Sequence, residues 1–278
     1  MSTGDVLSSI FGWVSLASWI IVYSPQIYEN YALQSGEGLS IVFVYIWLLG
    51  DLCNLVGAGL AGLLPTVIIL AVYYTVCDVT LLVQVYYYRG KAARKASNEG
   101  LRNGDSEETP LINGNSRAQE ETPIRTIILR YVGAVLFICF VGIFAWGISS
   151  TAGSDGGDEA EDSPQDEKMS TKLKWTVQIL GWSSALLYLG ARIPQIAKNV
   201  HTRCEGLAPG LFFFAIFGNL TYALSICAKS TDVDYLVVNG SWLAGSTLTI
   251  LLDIIVLGQF FYYRTLRTSA HVVEVESS

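Results

Sequence analysis

Three aspartates sit inside runs that are otherwise nearly free of charge: Asp51, Asp78 and Asp253. A charged side chain in hydrocarbon costs about 2.5–3.5 kcal/mol on insertion scales, so such residues face a bundle interior and usually serve function. A carboxylate placed there can attract a cation with little water to screen it, which selects positively charged solutes over neutral ones. Because burial disfavours the charged form, it can also take up a proton in an acidic compartment and release it in a neutral one. We expect Asp51 to face a solute cation and Asp253, with Asp78, to carry a coupling proton. The competing expectation is a protonated aspartate that only bonds one helix to another.

The elements that position these groups follow from composition. Hydrophobic residues make up 51% of the 278, charged residues only 15%, and mean hydropathy is +0.43. Soluble domains carry about 25% charged residues. The charge is concentrated in Arg89–Arg125 and Ser154–Lys174, the block pattern imposed by spans of about 20 apolar residues. The net charge of −7 therefore belongs to loops and gives no reason to expect a nucleic-acid partner. Helices are expected at 9–28, 40–62, 65–88, 126–149, 174–199, 208–228 and 239–263. The first is read as a retained helix rather than a cleaved leader. With the N-terminus away from the cytosol, cytosolic loops hold Arg89, Lys91, Arg94, Lys95, Arg102, Arg117, Arg125, Lys198, Arg203, Arg264 and Arg267. The other side holds Lys168, Lys172, Lys174 and Lys229. The positive-inside rule then gives N-out, C-in. The stretch from Gly90 to Thr122 and the acidic loop from Asp155 to Glu167 read as disordered by composition.

An internal repeat organises the spans. GWVSLASWIIVYSPQIYENYALQSGEGLS around Pro25 answers GWSSALLYLGARIPQIAKNVHTRCEGLA around Pro194. DVTLLVQVYYYR from Asp78 answers DIIVLGQFFYYR from Asp253. Each unit holds three helices, an odd number, so the fourth helix is needed to make the two units parallel. Parallel repeats place substrate near mid-membrane at the repeat interface. Asn219 takes the place of Asp51 in the second unit, where its amide can meet an α-amino or α-carboxyl group. Asn54 and Tyr222, on the same two segments, complete the expected substrate-binding set. Pro25 and Pro194 bend their helices by removing a backbone bond; each is a fixed kink or a hinge for the cytosolic gate, and the matched pair favours the hinge. Gln26 and Gln195 would satisfy the freed carbonyls or line the path. Arg192 either snorkels to the cytosolic surface or pairs with an acid such as Glu29. Trp47, Trp242, Tyr73 and Tyr74 read as packing or interface anchors.

SPQIYENY and RIPQIAKN resemble the paired Pro-Gln motifs of the PQ-loop family, which includes cystinosin and is related to the SWEET sugar carriers. WLLGDLCNLVG, GNLTYALSI and WLAGSTLTILLDIIVLGQFFYYR resemble its vacuolar and lysosomal cationic amino acid transporters. The resemblance implies an all-α membrane protein whose seven transmembrane helices form two parallel three-helix bundles joined by a linker helix. The units are then 9–88 and 174–264, with a cytosolic loop 89–125, linker 126–149, luminal loop 150–173 and cytosolic tail 265–278. It implies proton-coupled carriage of Lys, Arg or His across the vacuolar or lysosomal membrane, a polar residue at Asn219, and hinges at the Pro-Gln pairs. Expected partners are cationic amino acids, protons and membrane lipid. On the cytosolic loop, Glu107, Leu111 and Ile112 resemble an acidic dileucine signal for a clathrin-type adaptor.

Other function classes find less support. Gly57, Gly59 and Gly62 spell GxGxxG, but they close a membrane span instead of following a strand. Five cysteines show no metal or paired spacing, and two histidines, His201 and His271, form no catalytic arrangement, so neither an enzyme nor a cofactor is expected. Asn239-Gly240-Ser241 is a luminal sequon close against the last span. A cystine or other small-solute carrier is an alternative, and so is a seven-helix sorting or nutrient-sensing receptor. HVVEVESS lacks the lysine-based return signal of a retrieval receptor.

Overall fold

The structure is a computed structural model that describes residues 3–62, 65–103, 124–152 and 170–276. Every regular element among these is helical. In chain order they are α1 (Thr3–Ile21), α2 (Ser24–Leu33), α3 (Ile41–Ala61), α4 (Pro65–Asn103), α5 (Ile124–Ala152), α6 (Thr171–Thr202), α7 (Pro209–Lys229), α8 (Val233–Val238) and α9 (Gly240–Glu276). Local signals explain several ends. The Ser40 hydroxyl accepts the Phe43 N–H at 3.4 Å and caps α3, and Ser170 does the same for α6 through Leu173 at 3.3 Å. Gly62, at φ 63°, ends α3 in the left-handed region that a side chain would disfavour.

Among the described residues, six stretches can cross a membrane by length and composition: Thr3–Leu33, Ile41–Ala61, Ile68–Asn98, Ile128–Ile148, Pro209–Lys229 and Leu243–Ser269. The seventh expected span, α6, has the length at 32 residues. Its lysines, Arg192, Gln195 and Asn199 dilute its apolar content, and the last three are buried against neighbouring helices. On α5, by contrast, Leu136, Phe137, Phe140 and Phe144 stay exposed, as a lipid-facing helix requires.

Three expectations need correction. The first span is not one helix over 9–28: it breaks at Val22–Tyr23, and α2 continues to Leu33. Pro25 has no N–H for the Ile21 carbonyl, which instead accepts the Ser24 hydroxyl at 2.7 Å. The stretch after Gly90 is not disordered throughout, because α4 runs on to Asn103. Lys91, Ala92, Ala93, Arg94, Lys95 and Ala96 are strong helix formers, and a helix already nucleated in the span extends without a new nucleus. The tail beyond 264 is likewise helical to Glu276. Glu107, Leu111 and Ile112, and the whole acidic loop from Asp155 to Glu167, lie outside the described residues.

Packing crosses between the repeats. α1 lies mainly against α7 and α3 against α6, so the first helix of each repeat seats on the second helix of the other. α4 packs on α3, α9 on α7 and α6, and α5 on α1. Phe43, Leu81, Leu211, Phe212, Ala215 and Val256 are completely buried at the centre of this arrangement.

Candidate functional site: a charged cavity above a clamped end

A cavity of about 230 Å³ lies in the bundle interior. This is below the ~300–1,000 Å³ of drug-sized sites, so it suits one small solute. Its polar lining is Asp51, Asn54, Arg192, Asn219 and Thr249, and its aromatic lining is Trp19, Tyr23, Trp47, Tyr74 and Tyr188.

Asp51 is 1% exposed and takes a hydroxyl donor on each oxygen: Tyr23 at 3.1 Å and Tyr188 at 2.5 Å. Tyr188 comes this close because α3 carries Gly50 next to Asp51. A Cβ there would stand 2.8 Å from the Tyr188 ring. Behind Asp51 lies Asp78, wholly buried and beside both Asp51 and Tyr23. Neither Asp78 oxygen has a hydrogen-bond partner among the described residues. Asp253 differs. Arg192 holds it through two bonds, Nε to Oδ1 at 3.0 Å and Nη2 to Oδ2 at 3.4 Å, with both side chains fully buried. The third Arg192 nitrogen, Nη1, donates to the Tyr188 carbonyl at 2.7 Å, and the guanidinium carbon stands 5.0 Å from the Trp47 ring centroid. Asn219, also on the lining, is 9% exposed, and its Nδ2 has no acceptor among the described residues.

Of the expected substrate-binding set, Asp51, Asn54 and Asn219 meet in this cavity, whereas Tyr222 does not line it. Asp78 and Asp253 stand one layer behind. Of the two readings of Arg192, pairing with an acid holds and snorkelling does not, but the acid is Asp253 and not Glu29. Trp47 and Tyr74 are not mere packing or interface anchors: both wall the cavity. Sequence reasoning also missed Trp19, Tyr23, Tyr188 and Thr249. A signal existed, since Trp19 and Tyr188 both stand six residues before the repeat proline and Tyr23 and Arg192 both stand two before it.

Beyond the cavity lining, two glutamines hold the loops after α2 and α6. Gln26 Nε2 donates to Asn30 Oδ1 at 2.8 Å and to the Gly206 carbonyl at 3.1 Å, while its Oε1 accepts the Ala208 N–H at 2.8 Å. Gln195 repeats this on the other repeat. Its Nε2 donates to Asn199 Oδ1 at 2.8 Å and to the Gly38 carbonyl at 3.2 Å, and its Oε1 accepts the Ser40 N–H at 2.6 Å. The asparagines continue the relay, Asn30 to Gln84 at 3.0 Å and Asn199 to Gln259 at 2.9 Å. So the glutamines neither cap freed helix carbonyls nor line the cavity; each clamps the opposite repeat. Gly38 and Gly206 permit the contact, for a Cβ on Gly38 would fall 1.8 Å from the Gly206 carbonyl oxygen. Outside the clamp, Arg89 grips Glu37 with Nε–Oε1 at 2.6 Å and holds its carboxyl below the usual range, while Lys198 Nζ donates to the Leu39 carbonyl at 2.8 Å.

Comparison with known proteins agrees with the internal repeat. The PQ loop repeat family model matches the chain twice, over residues 7–67 and 176–235. The chain is 37% identical to the vacuolar lysine transporter YPQ1 of Saccharomyces cerevisiae, covering 94% of each chain. It is 37% identical to the vacuolar histidine transporter YPQ3 of the same yeast, covering 92% of each. The lysosomal amino acid transporter 1 homolog of Mus musculus is 29% identical over 96% of this chain and 85% of its own. With two repeat matches and relatives this similar along nearly its whole length, the chain belongs to the PQ-loop repeat family.

Proposed function

We propose that the chain is a transporter of cationic amino acids (lysine, arginine or histidine) in a vacuolar or lysosomal membrane. The observation that carries this is the buried Asp51 on the wall of a mid-bundle cavity, with no lysine or arginine paired to it among the described residues. A cationic side chain entering there meets a carboxylate in a low dielectric, while a neutral solute leaves that charge uncompensated. The Asn219 amide donor on the same lining, without an acceptor among the described residues, suits the α-carboxylate. The names of the yeast and mouse relatives support the same substrate class and compartment.

Seven spans in a 3+1+3 order, with α5 as linker, the N-terminus luminal and the C-terminus cytosolic, complete the proposal. The clamped loop end is then the cytosolic gate. The break before Pro25 and the proline within α6 are its hinges, and release of the two glutamine clamps lets the cavity change sides. Proton coupling moves from the Asp253–Asp78 expectation to the Asp51–Asp78 pair, because Arg192 already neutralises Asp253. Adjacent carboxyl groups cannot both ionise without a counter-charge, so the pair offers a seat for one exchangeable proton. Glu107, Leu111 and Ile112 are proposed as the adaptor signal that sorts the protein.

The test is counterflow in proteoliposomes holding the purified protein, with labelled lysine, arginine, histidine and cystine compared with and without a pH gradient. Exchange of the three cationic amino acids, accelerated by an acidic lumen, is expected. Exchange of cystine alone sinks the proposal.

A further inference from the structure

The two repeats fill one equivalent position differently. Tyr23 and Arg192 each stand two residues before the Pro-Gln pair, and Asp78 and Asp253 each stand six residues before a glutamine, Gln84 or Gln259. In the second repeat the acid is fully answered, since Arg192 lies bidentate on Asp253 and Asn219 adds no charge. In the first repeat Tyr23 replaces the guanidinium, yet Asp78 remains and Asp51 adds a second carboxyl where the other repeat has Asn219. Among the described residues no lysine or arginine pairs with Asp51 or Asp78. The Tyr23 and Tyr188 hydroxyls cover the Asp51 oxygens instead. A hydroxyl donor is what an ammonium or guanidinium N–H replaces one for one, with a charge added.

We infer that the first repeat holds the vacant counterpart of the Arg192 seat and that Tyr23 is the specificity-determining residue that keeps it open. The substrate's cationic group then takes up, against Asp51 and Asp78, the role that Arg192 plays against Asp253. This rests on the proposed function and deepens it. A planar guanidinium already fits the filled seat, so the vacant one accepts arginine as well as lysine. Tyr188 spans both seats, giving its hydroxyl to Asp51 and its carbonyl to Arg192.

The test is Tyr23→Arg, which gives the first repeat a cation of its own. In nanodiscs the variant is expected to elute as a single species and to bind lysine and arginine about a hundredfold more weakly than wild type, as when a buried charge loses its partner site. Tyr23→Met, of similar length without charge, separates size from charge. Equal losses in both variants, or undiminished binding by Tyr23→Arg, overturn the assignment. Should Tyr23→Arg not fold, the wild type decides. Methylguanidinium, the head of the Arg192 side chain, is expected to displace labelled lysine at millimolar concentration, the affinity its few heavy atoms permit. No displacement there overturns the assignment as well. A wild type that binds no lysine, arginine or histidine brings down the proposed function itself. Normal wild-type binding with an indifferent Tyr23→Arg brings down only the seat.

Discussion

The loop end and the cavity treat the repeat in opposite ways. At the loop end the halves are near copies. Gln26 and Gln195 make the same three bonds, and Asn30–Gln84 matches Asn199–Gln259 to within 0.1 Å. In the cavity the copies have diverged, with Asp51 opposite Asn219, Tyr23 opposite Arg192, and Trp19 opposite Tyr188. On the proposal that the loop end is a gate, two equal locks mean that neither half gives way first. A part that must hold a solute with a cationic end and an anionic end needs polarity, and symmetry would deny it.

The largest effect expected from breaking this contrast is at Asp51. Asp51→Asn should cut lysine counterflow by about a hundredfold or more, whereas Asn219→Ala should cost clearly less, since it removes one neutral donor. Equal losses at the two positions contradict the polarity. Next comes Arg192→Met, which strands Asp253 without its partner and should lower stability by about 3–5 kcal/mol, read as a fall in melting temperature. Pairing it with Asp253→Asn should restore most of that, and no rescue means the ion pair is not the source of the loss.

On the symmetric side, Gln26→Ala and Gln195→Ala should open the clamp to the same degree. Cys204 is 1% exposed beside it and serves as reporter. With the other cysteines replaced, its maleimide labelling should quicken about tenfold in either variant, the factor for a bond worth ~1.4 kcal/mol. Markedly unequal rates break the two-lock picture. The smallest effect belongs to Glu37, a half-exposed carboxylate held low first by the Arg89 hydrogen bond. A depressed folded-state pKa means the contribution is complete above the ordinary carboxylate range and vanishes only as pH falls through the lowered value. Amide protection in residues 34–40, taken relative to the intrinsic exchange rate at each pH, should therefore stay constant from neutral pH down to about pH 5, where ordinary carboxylates are still ionised. A loss of protection within that window argues against the latch.

Span positions were legible because hydropathy acts over twenty residues, and the repeat was legible because its motifs recur in order. Asp51 stands out by the cost of charge in hydrocarbon, and Asn219 by its matching place in the second repeat. The partner of Arg192 was not, since nothing local ties α6 to an aspartate 61 residues on. Trp47 and Tyr74 obey the same periodicity whether they wall a cavity or fill a core, so spacing could not separate the two. The helical run to Asn103 is hidden from composition because its residues are polar as well as helix-prone.

The crossed seating of α1 on α7 and α6 on α3 has a consequence for how such a chain arose. Two separate, identical three-helix chains could pair in that way, each lending its first helix to the other. Such a homodimer, however, must carry the same side chain at both equivalent positions: two arginines would leave no vacancy, and two tyrosines would leave both acids unanswered. Two copies within one chain can differ in sequence, as Tyr23 and Arg192 do at the matched position. Helix α5, packed on α1, lies in the chain between the two matched repeats.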